Sequence, residues 1–233
     1  MALPKQSAPK YKCVLPSDGT EIEFRPFLVK EQKVLLLAQE EEDEKAMFNA
    51  VKDLIESVCF TEIKADRLSV VDMEYLFLKI RSKSVGETAN IKVTCNDPNC
   101  NGTGDAVINL DDVEVVGETP ENKIMINDEI GIELRYPRVS DINAVQGMDN
   151  ATSTLTMLKS SMVNIYDADE VYPTMDASTN ELNEFVENLT MQQLEMITDY
   201  FNSIPALQHD VESKCTTCDK DIRTTVKGLN SFF

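Results

Sequence analysis

The sequence predicts an α+β fold in which β-hairpins and helices share one chain, and three observations carry that expectation. Short β-branched or alternating runs bounded by turn residues recur along the chain. Helix-period apolar runs with N-cap signatures fill much of the rest. Two close cysteine pairs each sit between two strand-like runs. Together they predict β-hairpins with a discontinuous four-cysteine zinc ribbon plus a helical excursion between the ribbon's halves.

Taken in order, residues 11–15 and 19–27 read as a hairpin turning at Ser17-Asp18-Gly19. Residues 30–41 and 44–60 read as helices. Ser69 caps a helix over about 70–83, with Asp72 at its third position and Met73, Leu76, Phe77 and Ile80 along one side. Strand-like runs at 90–95 and 105–110 flank the first cysteine pair. Ile124 to Ile126 and Ile130 to Tyr136, alternating apolar with Glu129, Glu133 and Arg135, make a further hairpin that Pro137 ends. Residues 139–204 read as helical, with Ser178-x-x-Glu181 and Thr190-x-x-Gln193 as capping boxes and Pro205 closing the last helix. Strand-like runs at 208–215 and 221–226 flank the second cysteine pair, and a tail ends in Phe232-Phe233. The expected division is an α+β body with the ribbon, 1–136 plus 207–233, and an acidic helical domain, 137–206. Met73/Phe77 and Leu194/Phe201 are read as core.

The six cysteines are Cys13, Cys59, Cys95, Cys100, Cys215 and Cys218. Cys59 lies on the apolar stripe of its helix and Cys13 inside a strand, where a free thiol packs as a small hydrophobe. Cys95-Asn-Asp-Pro-Asn-Cys100 and Cys215-Thr-Thr-Cys218 instead form strand–knuckle–strand units, and that unit occurs twice. Four thiolates at two knuckle tips supply the soft tetrahedral set that Zn2+ takes. Pro98, Asn99 and Asn101-Gly-Thr-Gly104 provide turn residues where the chain must wrap an ion. With every corner filled by protein, the expected zinc is structural. Disulfide-forming or reactive pairs and unpaired structural thiols are the competing readings. His209, the sole histidine, is read as a surface or packing residue.

The 233 residues are 42% hydrophobic and 27% charged, which suits a folded chain with a real core. Eight glycines and nine prolines exclude collagen-like and low-complexity classes. No charge-poor stretch approaches the roughly 18 residues of a membrane helix. The first ten residues contain lysines but no apolar core, so no secretory signal and a cytosolic location are expected. Net charge is −19, with −8 in each of 101–150 and 151–206 and the acidic run Glu40 to Glu44. That field disfavours nucleic-acid binding and leaves open a solvated surface or a dock for a basic partner. Ser84-Val-Gly86-Glu-Thr88 lacks phosphate-loop spacing, and one histidine leaves no Ser/His/Asp array. The chain is expected not to be an enzyme.

The residues Ala2-Leu-Pro-Lys5, Pro9-Lys-Tyr11, Leu15-Pro-Ser17 and Ile22-Glu-Phe-Arg-Pro-Phe27-Leu-Val-Lys30-Glu-Gln-Lys33 resemble the T-even-type bacteriophage baseplate hub family of hub subunits and hub assembly factors. The resemblance is specific over about residues 2–60. It implies a role in building the tail baseplate hub by contact with hub and tail proteins in the infected bacterial cytoplasm, without fixing whether the chain stays in the virion. It brings no catalytic residues. The Phe24 to Val29 segment reads as an interaction surface or as the hairpin edge over the core. A zinc-ribbon adaptor of transcription is a second reading. A thiol-redox enzyme is a third, and it needs a βαβ setting that a hairpin does not offer.

Overall fold

The computed structural model describes residues 8–41 and 44–228. In chain order it forms β1 (Tyr11–Val14), β2 (Glu21–Phe24), α1 (Val29–Glu40), α2 (Glu44–Val58) and α3 (Val70–Val85). There follow β3 (Thr88–Thr94), β4 (Thr103–Asn109), β5 (Glu114–Val116), β6 (Lys123–Met125) and β7 (Gly131–Leu134). Then come α4 (Val139–Val145), α5 (Asn150–Ser161), β8 (Met162–Tyr166) and β9 (Val171–Pro173). The chain finishes with α6 (Thr179–Glu187), α7 (Met191–Ser203), β10 (Ala206–Lys214) and β11 (Asp221–Lys227). The Phe232-Phe233 tail, Ala2 to Lys5, and Glu42 and Asp43 of the acidic run lie outside the described residues.

Two compact units divide the chain. The first gathers the chain up to Ala65, Val71–Val116 and the chain from Ala206 onward. In it β1 and β2 pair antiparallel, Cys13 opposite Ile22, around a turn in which Gly19 takes φ +74° and the Asp18 carboxylate accepts the Thr20 amide. α3 buries Met73, Leu76, Phe77, Leu78 and Ile80, so the core reading of that stripe agrees with its placement. β3 and β4 form a hairpin whose inward positions are Ala89, Ile91, Val93, Ala106 and Ile108. β10 pairs with β11 on one side and with β5 on the other, and Leu207, Val211 and Ile222 join the same apolar cluster. β5 was not foreseen: a three-residue strand carries too little pattern to read.

The second unit is Asp66–Val70 with Gly117–Pro205. Its sheet has the order β6-β7-β8-β9 and packs Ile132, Leu134 and Met162 against Leu158, Val186, Ile197 and Tyr200 of its helices. Here the all-helical expectation for 139–204 is corrected. Met162-Val-Asn-Ile-Tyr166 is rich in residues that favour the pleated surface, and it pairs along β7. The turn after it is closed by the Asp167 carboxylate, which accepts the Asp169 and Glu170 amides at 2.9 and 2.8 Å before β9 returns. The β6–β7 hairpin therefore belongs to this sheet and, like Asp66–Val70, to this unit, where the sequence reading placed both in the body. Both capping boxes form: Ser178 with Glu181 and Thr190 with Gln193.

The two units share a module. Each has a hairpin, then an arginine, a proline, a helix capped by an acid, a second helix and a chain that returns to the hairpin. Arg25 donates to Glu31 at 3.0 Å and to the Ser57 carbonyl at 3.3 Å. Arg135 donates to Asp141 at 2.7 and 3.2 Å and to the Ser160 carbonyl at 2.5 Å. Both arginines also reach the carbonyl of the following residue, at 3.0 Å in each case. Glu31 and Asp141 each accept the amide three residues back, Leu28 and Arg138, at 2.7 Å. The Arg25 amide bonds Val58 and the Arg135 amide bonds Ser161, at 3.1 and 2.9 Å. A helix further on then reaches back to the hairpin turn: Asp72 accepts the Ser17 amide at 3.0 Å, and Gln193 donates to Ile126 at 3.0 Å.

Candidate metal centre

The cysteine knuckles are built by continuing strand alternation. Ala89, Ile91 and Val93 point inward along β3, so Cys95 does too, two residues on. Cys215 follows Val211 inward from β10 and is also buried. The first knuckle is closed by Cys95 N–H to Gly102 at 2.9 Å and Cys100 N–H to Asp97 at 2.9 Å. In the second, Cys215 N–H bonds Lys220 at 2.9 Å and Asp219 N–H bonds Cys215 at 3.0 Å, with Asp219 at φ +58°. Aspartate tolerates that left-handed conformation better than most side chains.

The two knuckles meet. The Sγ atoms of Cys95, Cys100, Cys215 and Cys218 all lie within 4.8 Å of one another, and Cys95–Cys218 and Cys100–Cys215 both approach to 3.7 Å. All six cysteines are free thiols. Four sulfurs around an ion at the usual 2.3 Å bond length stand about 3.8 Å apart along a tetrahedron's edges. The cluster therefore fits a tetrahedral soft-metal site with four protein ligands. Such a set suits zinc or iron.

The surroundings hold the sulfurs in place. Gly102 and Thr217 amides point at Cys100 and Cys215 sulfurs, each at 3.4 Å. Thr216 bonds the Thr103 carbonyl through both its amide and its hydroxyl at 2.9 Å, fastening one knuckle to the other. Lys220 pairs with Asp97 across the two loops, and Asn96 donates to the Arg223 carbonyl at 2.7 Å. A Cβ on Gly102 would stand 2.5 Å from Thr217 Oγ1 and 2.6 Å from the Cys215 sulfur, so the loops close only around glycine there. Amides of Cys218 and Thr217 pull the Cys215 thiol down to about 6. At Cys100 the Gly102 amide acts in the same direction, but the neighbouring Cys218 sulfur, burial and Cys215 outweigh it and push the thiol up to about 12. An ion that binds all four as thiolates must displace the protons they carry.

The sequence-named ligand candidates all come together. Gly102 was read from sequence as a turn residue of the wrap but not for its close approach to Thr217 and the Cys215 sulfur, and the contributions of Thr216 and the Lys220–Asp97 pair were not read. His209, half-buried on β10 opposite Val226, stands outside the cluster. Cys13 and Cys59 are set apart from it, and burial raises their thiols to about 11 and about 12.

Residues 8–233 match the family model described as T4 bacteriophage base plate protein. The chain belongs to that family. No curated protein and no solved structure matches it. The match runs through both units of this baseplate protein and through both cysteine knuckles, extending the resemblance first seen at the amino end. Membership makes other phage tail proteins its partners. Among the described residues no helix is long and apolar enough to cross a membrane.

Proposed function

We propose that this baseplate protein is a non-enzymatic subunit or assembly factor of the baseplate hub, acting through contacts with hub and tail proteins in the infected bacterial cytoplasm. In this reading Cys95, Cys100, Cys215 and Cys218 hold one structural Zn2+. The observation that carries it is the family match over nearly the whole chain, joined to a four-thiol cluster whose every corner is protein. A site with no open position binds no substrate, whereas a staple between remote hairpins makes a rigid platform from little core. The −19 charge supports protein rather than nucleic-acid partners.

Two measurements test the reading. Elemental analysis of the purified chain should give about one zinc per chain, released with loss of fold after Cys218→Ser. A metal-free protein that reduces a disulfide substrate would instead support the redox alternative. Tagged protein from infected cells should co-purify with hub proteins. Recovery with RNA polymerase and no tail protein would overturn the hub assignment in favour of the transcription adaptor.

A further inference from the structure

The matched modules expose a difference that the fold does not require. α1 turns Glu31, Leu35 and Ala38 inward, yet it also leaves Val29 82%, Val34 51%, Leu36 52% and Leu37 51% exposed. A helix that is apolar on both faces is one that expects a second neighbour. At the position matched to Val34 through Glu31 and Asp141 the second module carries an exposed Ala144, and its helix α4 ends at Val145, before the positions matched to Leu36 and Leu37. The module thus folds without helical counterparts of Leu36 and Leu37.

Apart from the buried capping Glu31, the charges on α1 run against its own dipole. Lys30 and Lys33 stand on its first turns, where anions are favoured, and Glu40 and Glu41 stand at its end, where cations are favoured; the last turn has no base. The sequence continues with Glu42, Asp43 and Glu44. A helix with this pattern is complementary to itself run backwards. In an antiparallel pair centred between Leu36 and Leu37, each leucine faces the other copy's, and Lys33 of each copy stands opposite Glu40 of the other. The helix dipoles also oppose.

We propose that the exposed face of α1 is a self-association surface, and that its occupant is α1 of a second copy of this chain in antiparallel register. A 12-residue helix gives a contact at the small end of specific interfaces, so the dimer is weak and reversible. The proposal stands apart from the hub and zinc assignments.

The test is sedimentation equilibrium of the full chain as purified, from about 5 to 500 µM, a range suited to micromolar association. Wild type should pass from monomer to dimer. Leu36→Gln with Leu37→Gln, which removes the apolar pair at the centre of the register, should weaken dimerisation at least tenfold and leave the melting temperature unchanged. Lys33→Glu and Glu40→Lys should each weaken it, and the two together should restore it, because the reversed charges again face one another. A wild type that is monomeric throughout overturns the proposal. So does a Leu36/Leu37 variant that dimerises as tightly, or a double charge reversal that restores nothing.

Discussion

The two modules differ most in how the chain returns to the hairpin. After α2 the first makes one bridge, Phe24 to Cys59, with the Phe60 amide on Glu23 at 2.8 Å. After α5 the second lays down β8 along β7 and β9 beyond it. The Arg–acid clamp is common to both, so the clamp specifies the module and the sheet is an elaboration. The units also reach their cores differently. The second closes around Leu134, Leu158, Met162, Ile197 and Tyr200 without clustered cysteines, whereas the first adds the four-thiol cluster to its β-rich core. Both units pack around buried apolar clusters, and only the first adds a set of thiols that could gain from an ion.

Breaking the cluster should therefore separate the units most sharply. On the proposed zinc reading, Cys95→Ser or strong chelation removes an ion whose binding is worth about 10–16 kcal/mol in small zinc domains, more than a domain's usual stability. Amide hydrogen exchange should show β3, β4, β10 and β11 losing protection while α5, α7 and β7 keep theirs. Simultaneous loss in both units would mean that the core around Ile132 does not hold without the ion.

The clamp comes next. Arg135→Ala takes the ion-pair partner from the buried Asp141 carboxylate, and removing one partner of a buried pair costs about 3–5 kcal/mol; Arg25→Ala leaves Glu31 with Lys30 at 3.3 Å and should cost less. Arg135 meets Asp141 through two nitrogens and Arg25 meets Glu31 through one, so urea denaturation should show the larger loss at Arg135. Equal losses would mean that the shared carbonyl contacts, not the carboxylates, carry the clamp. The first clamp also has a pH signature. Burial alone would raise Glu31, but hydrogen bonds from Arg25, the Leu28 amide and Lys30 overcome it and leave the carboxyl below its ordinary value. Its contribution is thus fully present above the unfolded carboxyl's pKa, about 4.3, and is lost as pH falls below that through the lowered folded value. Glu31→Gln should flatten that part of the stability–pH curve.

Much of this was legible before any coordinates. The knuckles announce themselves because a metal site needs particular atoms at close spacing, and a strand's two-residue period carries Cys95 and Cys215 inward. The capping boxes at Ser178 and Thr190 are local chemistry and form as read. What escaped was relational. Met162 to Tyr166 follows a helix directly, and five residues of mixed polarity carry no period that separates strand from helix. The module repeat also lay in plain view, as Ile22-Glu-Phe-Arg25-Pro and Ile132-Glu-Leu-Arg135-Tyr-Pro. Helices of different length after each hide it from a reading that advances one element at a time.

Gly102→Ala tests the packing of the knuckles rather than their ligands. A methyl group 2.6 Å from the Cys215 sulfur must push the second loop away, at about 1–3 kcal/mol for an overpacked site. Metal retention against a graded chelator should fall. Gly86→Ala makes a useful control in the same unit, since no atom lies within 4 Å of the added carbon and the cost is confined to its φ of +124°. Equal chelator sensitivity in the two variants would remove close approach as the reason for glycine at 102.

The smallest effect should come from the other two cysteines, and it bears most directly on the repeat. Cys13 lies opposite Ile22 as Ile124 lies opposite Ile132. Cys59 follows Val58 as Met162 follows Ser161, each after the carbonyl that takes the arginine amide. The second module thus fills both thiol positions with ordinary hydrophobes. Cys13→Val and Cys59→Val should each change stability by less than about 1.5 kcal/mol, the range for apolar swaps of similar volume, with metal content unchanged. Native protein at pH 8 should also resist iodoacetamide at both sites, because burial keeps these thiols protonated at about 11 and about 12. Rapid alkylation, or a valine variant that loses its metal, would tie these thiols to the ribbon's chemistry and break the correspondence between the modules.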